Sequence, residues 1–456
     1  LKSFSPFLIS LSLIASSCLH KDEKISTEGK LEFSRDTIFF DTIFTSIGSI
    51  TKRLKVYNRN SSALRISSIE LGGYSSSPYE LIIDGVKNNS VKDLFIRGGD
   101  SLFILIKVTI DPQDLSTPYL VSDSILFNTN GNTQKVQLAA YGQDANFLNS
   151  TTIACDTIWT SGKPFVVYNY ARIPAGCTLT IRKGVKVLFH ENSIFDVKGT
   201  LLVEGEKDSI VVFSGDRLSG PYKNLAGQWK GIVFDASSKN NSFVFSLIKN
   251  AVTGLTVHND PADADTIPEI FLKNTIVQNM QQYGVISYGM DSYAENCLFT
   301  NAVRNVFAGV GGGEYHFIHC TFSNYSYSFF REGSAVRFSN YYSDFSGTVS
   351  GLLKTRFTNC ILWGDRSEEL DLINNISYGF DFVSFYSLLK TMRTDQNINN
   401  NIINSDPLFV KPVEFNFRLK AGSPVIDAGQ ATSILQDIEG EPRDSSPDPG
   451  AFEYFP

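Results

Sequence analysis

The stretch CTLTI, Cys177–Ile181, returns 22 residues later as GTLLV, Gly199–Val203, so that Thr178 falls on Thr200, Leu179 on Leu201 and Ile181 on Val203. Followed in both directions, apolar pairs at i and i+2 recur as Phe165/Val167, Val187/Phe189, Val211/Phe213 and Ile232/Phe234, at steps of 22, 24 and 21. That spacing puts both side chains of a pair on one face of a strand. Strands so short cannot bury a face alone, but a fixed period lets each coil bury its face against the next. The expected object is a solenoid, a right-handed parallel β-helix over residues 164–410.

The later coils repeat at another place. NTIVQN from Asn274, NCLFTN from Asn296, HCTFSN from His319 and NCILWG from Asn359 start 22, 23 and 40 residues apart, so the last interval carries a long excursion. Asn274, Asn296 and Asn359 fall in register with His319 between them, as do Asn279, Asn301 and Asn324. Asn tolerates left-handed backbone at turns, and a ladder of such side chains is architecture rather than chemistry. Cys297, Cys320 and Cys360 share the next position and are expected to point inward as small apolar groups. A second strand follows in each coil: GLTV at Gly254, GVIS at Gly284, NVFA at Asn305 and SFFR at Ser328. On these repeats the chain resembles the right-handed β-helix superfamily that contains pectate lyases and polygalacturonases. The resemblance covers about half the chain and implies a fold more than an activity.

Composition agrees with an all-β protein. The 456 residues include 35 Phe, 19 Tyr and 34 Gly against 3 Met, which suits pleated surfaces and turns better than long helices. A net charge of -7 without a basic stripe argues against a nucleic-acid partner. Residues 30–145 show longer alternating runs (RLKVYN, SLFILIKVTI, KVQLAAYG), expected to form an immunoglobulin-like β-sandwich. Residues 146–163 form the junction and N-terminal cap, with Trp159 as its buried aromatic. Cys155 and Cys177 lie one period apart and would form either a disulfide or a second buried stack. The pieces DPLF at Asp406, FRL at Phe417, GSPVIDAG at Gly422, DIEGEPR at Asp437 and PDPGAFEY at Pro447 resemble the closing segment of many bacterial surface β-helix proteins. This segment, residues 411–456, is expected to cap the last coil, with Asp427, Asp437 and Asp448 as turn formers.

Residues 1–17 carry the apolar run FLISLSLIA and read as a signal peptide, too short to span a membrane. The ASSC ending resembles a bacterial lipobox, which would make Cys18 the lipidated first residue, with residues 18–29 as a tether. Lys21, Asp22 and Glu23 resemble the export tag of surface lipoproteins of Bacteroides type. The resemblance implies anchoring to the outer membrane, facing the cell exterior; a monomer is expected.

A β-helix fills its interior with side chains, so ligands bind outside it. The loops after the GVIS-type strands are expected to stack into one ridge bearing His258, Asp260, Asp263, Asp265, Asp291, Glu314, Arg331, Glu332, Arg337 and Asp344, with Tyr288, Tyr341 and Tyr342 among them. Carboxylates beside aromatic platforms suit a polysaccharide or surface glycan. Asp260, Asp263, Asp291 and Arg331 are the catalytic candidates for a lyase or glycoside hydrolase. Tyr288, Tyr341, Tyr342 and Arg337 are the candidates for holding substrate. Asp260, Asp263 and Asp265 would hold Ca2+, the one cofactor considered. The competing expectation is a set of solvated loops on a non-catalytic adhesin or scaffold.

Overall fold

The computed structural model describes residues 24–218, 220–258, 268–327, 329–344, 347–396 and 398–456. The chain divides into two units: residues up to Pro112 with Tyr119–Gly142, and Gln113–Pro118 with Gln143–Pro456.

In the first unit, alternation of apolar and polar residues builds two sheets. Strands Thr37–Phe44, Ala63–Leu71, Ser90–Ile96, Tyr119–Thr129 and Asn132–Gln143 form one, with Ile25–Ser26 added along Ala63–Leu64. Lys52–Tyr57, Tyr79–Ile83 and Ser101–Val108, with Glu32–Phe33 and Val86–Lys87, form the other. Leu54, Val56, Ile104 and Ile106 of one sheet share a single apolar cluster with Ile66, Ile125, Phe127 and Leu138 of the other. The result is a largely antiparallel two-sheet sandwich.

The second unit is the solenoid. Its 25 strands join in one continuous sheet in which each strand pairs in parallel with its counterpart a coil away, giving three faces. The 22-residue offset is a true register on the first face: Thr178 pairs with Thr200, Leu179 with Leu201 and Ile181 with Val203. Elsewhere the sequence reading slipped. Val187 pairs with Phe213, not Val211, because a shift of two residues preserves the inward face and leaves no mark on the pattern. Ile232 and Phe234 belong to the third face, where they pair with Phe195 and Val197. The junction is itself a coil, since Asn146–Thr152 and Thr157–Trp159 pair in parallel with Phe165–Ile173 and Thr178–Arg182. Trp159 is buried there and stacks on Phe165 at 4.1 Å. Cys155 and Cys177 form a disulfide between these coils.

Inward positions fill the bore. Phe299, Phe322 and Phe357 stack at 5.0 and 5.3 Å with rings nearly parallel. Cys297, Cys320 and Cys360 are fully buried free thiols, each at the start of a second-face strand. The corner before that face needs a left-handed residue, and Asn274, Asn296, His319 and Asn359 all adopt φ of 49–52°.

The C-terminal segment runs along the flank, over this corner. Asn274 donates to the Asp437 and Ile438 carbonyls, Asn296 to Gln436 O at 2.6 Å and Asn359 to Gln430 O at 2.7 Å. His319 Nδ1 lies 3.1 Å from Asp448 O, so that nitrogen carries the proton, and Nε2 accepts from Asn359 at 3.0 Å. Phe409, Phe417, Val425, Ile438 and Phe452 cover Leu298, Ile361 and Leu388, the outward apolar side chains of the second face. The ladder is therefore mainly a docking strip for a strap; among the described residues the one ladder-to-ladder bond at this corner joins His319 and Asn359. Within the strap, Asp437 accepts from the backbone of Glu439 and Glu441, and Asp448 from Asp427 and Tyr454, which gives both acids structural work.

Candidate functional site

The third face carries the site. Register places Thr256, Ile286, Ala308, Arg337 and Asp371 in one outward column. Two residues further along the strands, His258, Tyr288, Val310, Ser339 and Ile373 form a second. After Ser339 the chain leaves the face as a hairpin, Tyr341–Asp344 paired with Gly347–Ser350. The base of this hairpin rests on glycines: a Cβ on Gly311 would lie 3.0 Å from Val349, and one on Gly312 would lie 2.9 Å from the Gly351 backbone. Gly311 and Gly312, both at positive φ, are thus the seat of the hairpin, while a Cβ on Gly313 would meet the Met290 backbone of the preceding coil.

Between the hairpin and the opposite edge of the face runs a groove of about 490 Å3. One rim is Tyr288, Tyr341 and Tyr342; the other is Tyr283 and Arg304; Ile286, Ala308 and Val310 lie between, followed along the axis by Arg337 and, one coil further, Ile373. Tyr288 stacks on His258 at 5.1 Å with rings 3° apart, and meets Tyr342 edge-on at 5.1 Å. Burial holds the His258 imidazole below its usual range, against the opposing pull of Asp235. Arg304 donates to the Tyr283 hydroxyl at 3.0 Å and lies 3.3 Å from Glu332. Arg337 Nε is 3.5 Å from Asp371, whose carboxyl is raised by burial despite that guanidinium. Stacked rings over an apolar floor, with guanidinium donors at the margin, can grip a ring that has one apolar face and a polar perimeter.

The expected ridge is only partly assembled. Tyr288, Tyr341, Tyr342 and Arg337, the four substrate-holding candidates, all line the groove. Asp260, Asp263 and Asp265 lie outside the described residues, as does the side chain of Asp344. Among the described residues no group of three or more His, Cys, Asp and Glu is arranged to hold a metal ion. Asp291 is engaged between coils: its N–H donates to Glu269 at 2.8 Å and its carboxylate accepts the Glu314 N–H at 2.7 Å.

Arg331 corrects the sequence reading most. It is 2% exposed, donates at 2.8 and 2.6 Å to both oxygens of the fully buried Glu369, and also pairs with Asp365. A guanidinium locked in this way is a structural pin and offers no base to solvent. The error began with SFFR. The strand that follows HCTFSN is Val336–Ser339, which pairs with Phe307–Val310, while Phe330 is 85% exposed in the loop before it. Arg331 and Glu332 therefore occupy the corner before the third face, and Tyr341 and Tyr342 the corner after it. Tyr283 and Arg304 are not among the residues expected from the sequence, because they lie on the side of the face away from the loops that follow the strands. Their signal is in the repeat: Tyr283 opens the third-face strand Tyr283–Tyr288, and Arg304 lies in the turn that leads into Phe307–Val310.

No protein-family model and no curated protein matches the chain. Among solved structures, a PapD-like domain of human CEP192 aligns at 13% identity over 29% of this chain and 99% of its own, with a TM-score of 0.19. A Porphyromonas gingivalis protein of unknown function aligns at 10% over 28% of this chain and 61% of its own, with a TM-score of 0.19. A family 123 glycoside hydrolase from Clostridium perfringens aligns at 7% over 29% of this chain and 30% of its own, with a TM-score of 0.18. The alignments thus span less than two thirds of the latter two chains. At these TM-scores the similarities identify neither the fold nor the function of the chain.

Proposed function

We propose that the chain is a cell-surface lipoprotein that binds polysaccharide in the groove of the third face, anchored through Cys18. The observation that carries this reading is the lining: Tyr283, Tyr288, Tyr341 and Tyr342 with Arg304 and Arg337 around an apolar floor. Aromatic faces with adaptable hydroxyls stack on sugar rings, and the volume suits a short stretch of glycan. The lining supports binding directly; hydrolysis of the usual kind would call for a pair of carboxylates in addition.

Titration of the full chain against a panel of neutral and acidic oligosaccharides tests the reading. Tyr288→Ala and Tyr342→Ala should each weaken binding by ~5–30-fold, the effect of losing about 1–2 kcal/mol of stacking. A panel in which no glycan binds, or binding that survives both substitutions unchanged, would remove the groove from consideration.

A further inference from the structure

The floor of the groove is not level along the axis of the solenoid. Its outward column runs Ile286, Ala308, Arg337, Asp371 in successive coils, so the surface steps up from a methyl group to a guanidinium. Coils in parallel register stand ~4.8 Å apart, which leaves ~10 Å of apolar floor, about a pair of pyranose rings, before Arg337 is reached. Arg337 meets the described residues through one 3.5 Å contact between its Nε and Asp371, which lies on the far side from the floor. Arg304, paired with Glu332, adds a second guanidinium to the rim.

We propose that the groove recognises the end of an anionic glycan, with the terminal carboxylate or sulfate held by Arg337. This rests on the glycan-binding reading of the same groove. A planar guanidinium offers paired N–H donors that match two oxygens of such a group. A polyanion continuing past Arg337 would next meet the carboxylate of Asp371, ~4.8 Å further on, and be repelled. A neutral chain can accept hydrogen bonds from these arginines but gains no ion pair. The step, the charge order and the absence of described lining carboxylates thus select a charged terminus over a neutral chain or an internal stretch.

The test is calorimetric titration of the full chain with a uronate tetrasaccharide, its neutral methyl ester, a sulfated tetrasaccharide and a long uronate polymer. At least one acidic tetrasaccharide should bind ≥ ~10-fold more tightly than the ester, the discrimination of one lost charge-assisted contact. Whichever acid binds tells carboxylate from sulfate. Arg337→Gln should bring the acid down to the level of the ester without changing the melting temperature, and Arg337→Lys should fall between them. The polymer should take up no more than one protein per chain end. Equal binding of acid and ester, or no effect of Arg337→Gln, overturns anion recognition while glycan binding stands. Several proteins along each polymer overturn recognition of the terminus. No binding by any of the four probes overturns the inference together with the glycan reading beneath it.

Discussion

His319 shows how one substitution in a repeat acquires a physical signature. Burial, and then the nearby Arg443 guanidinium, hold its imidazole at about 3, so the folded side chain stays neutral. The unfolded imidazole takes its proton near the ordinary value of 6.5. Between these values the unfolded state binds more protons, so His319 makes stability fall as pH falls through the window. Asp448, raised to about 6 mainly by burial, acts with the opposite sign: below about 6 the folded carboxyl binds the proton first, which adds stability down to its ordinary value of 3.8. His319→Asn, which restores the ladder residue, should therefore lose less stability than the parent between pH 6.5 and 4. Asp448→Asn should lose more. Urea midpoints at pH 7.5, 5.5 and 4 separate the two, and parallel pH curves for parent and His319→Asn would refute the assignment. The sequence identified His319 as a ladder member by position, but its partners lie 113 and 129 residues away in the strap, beyond the reach of any local pattern.

Single elements explain why some readings held and others did not. The offset linking CTLTI to GTLLV became a register because each strand there aligns with one strand of the next coil. SFFR failed because two adjacent aromatics in a loop imitate a strand, and only burial tells Phe330 from Phe338. The tyrosines of the groove were legible because the excursion after Ser339 shows in the long interval between motifs; the pairing of Arg331 with Glu369 was not, since it depends on a corner that no repeat marks. The hairpin itself gives a prediction. Gly312 has φ of 100° and no room for a Cβ beside the Gly351 backbone. Gly312→Ala should displace the hairpin, at a cost of about 1–3 kcal/mol, and carry Tyr341 and Tyr342 away from Tyr288. Weaker glycan binding with unchanged far-ultraviolet circular dichroism is the expected result; full binding would mean the hairpin does not shape the groove. The strap gives another. Arg443 pairs with the buried Glu453 at 2.9 Å and reaches Asn296 Oδ1 at 3.0 Å. Removing it strands a buried carboxylate, so Arg443→Ala should lower stability by about 3–5 kcal/mol in denaturant titration.

For the whole molecule, the proposed anchoring rests on a segment outside the described residues, where ASSC precedes Lys21, Asp22 and Glu23. Cys18→Ala should abolish metabolic lipid labelling and shift the protein from the membrane to the soluble fraction. A parent protein that carries no lipid would end that proposal. The strap bears on the molecule in another way. A stack of coils held only by neighbours can fray from its ends, each coil parting for little more than its own interface. Here one segment bonds to four successive ladder positions, Asn274, Asn296, His319 and Asn359, and covers their apolar face. A coil beneath it cannot peel away alone, because leaving would also tear the strap from the other three. These coils should behave like boards nailed to one batten, coming apart in a single event, while the coils carrying the disulfide at the other end rely on their covalent stitch.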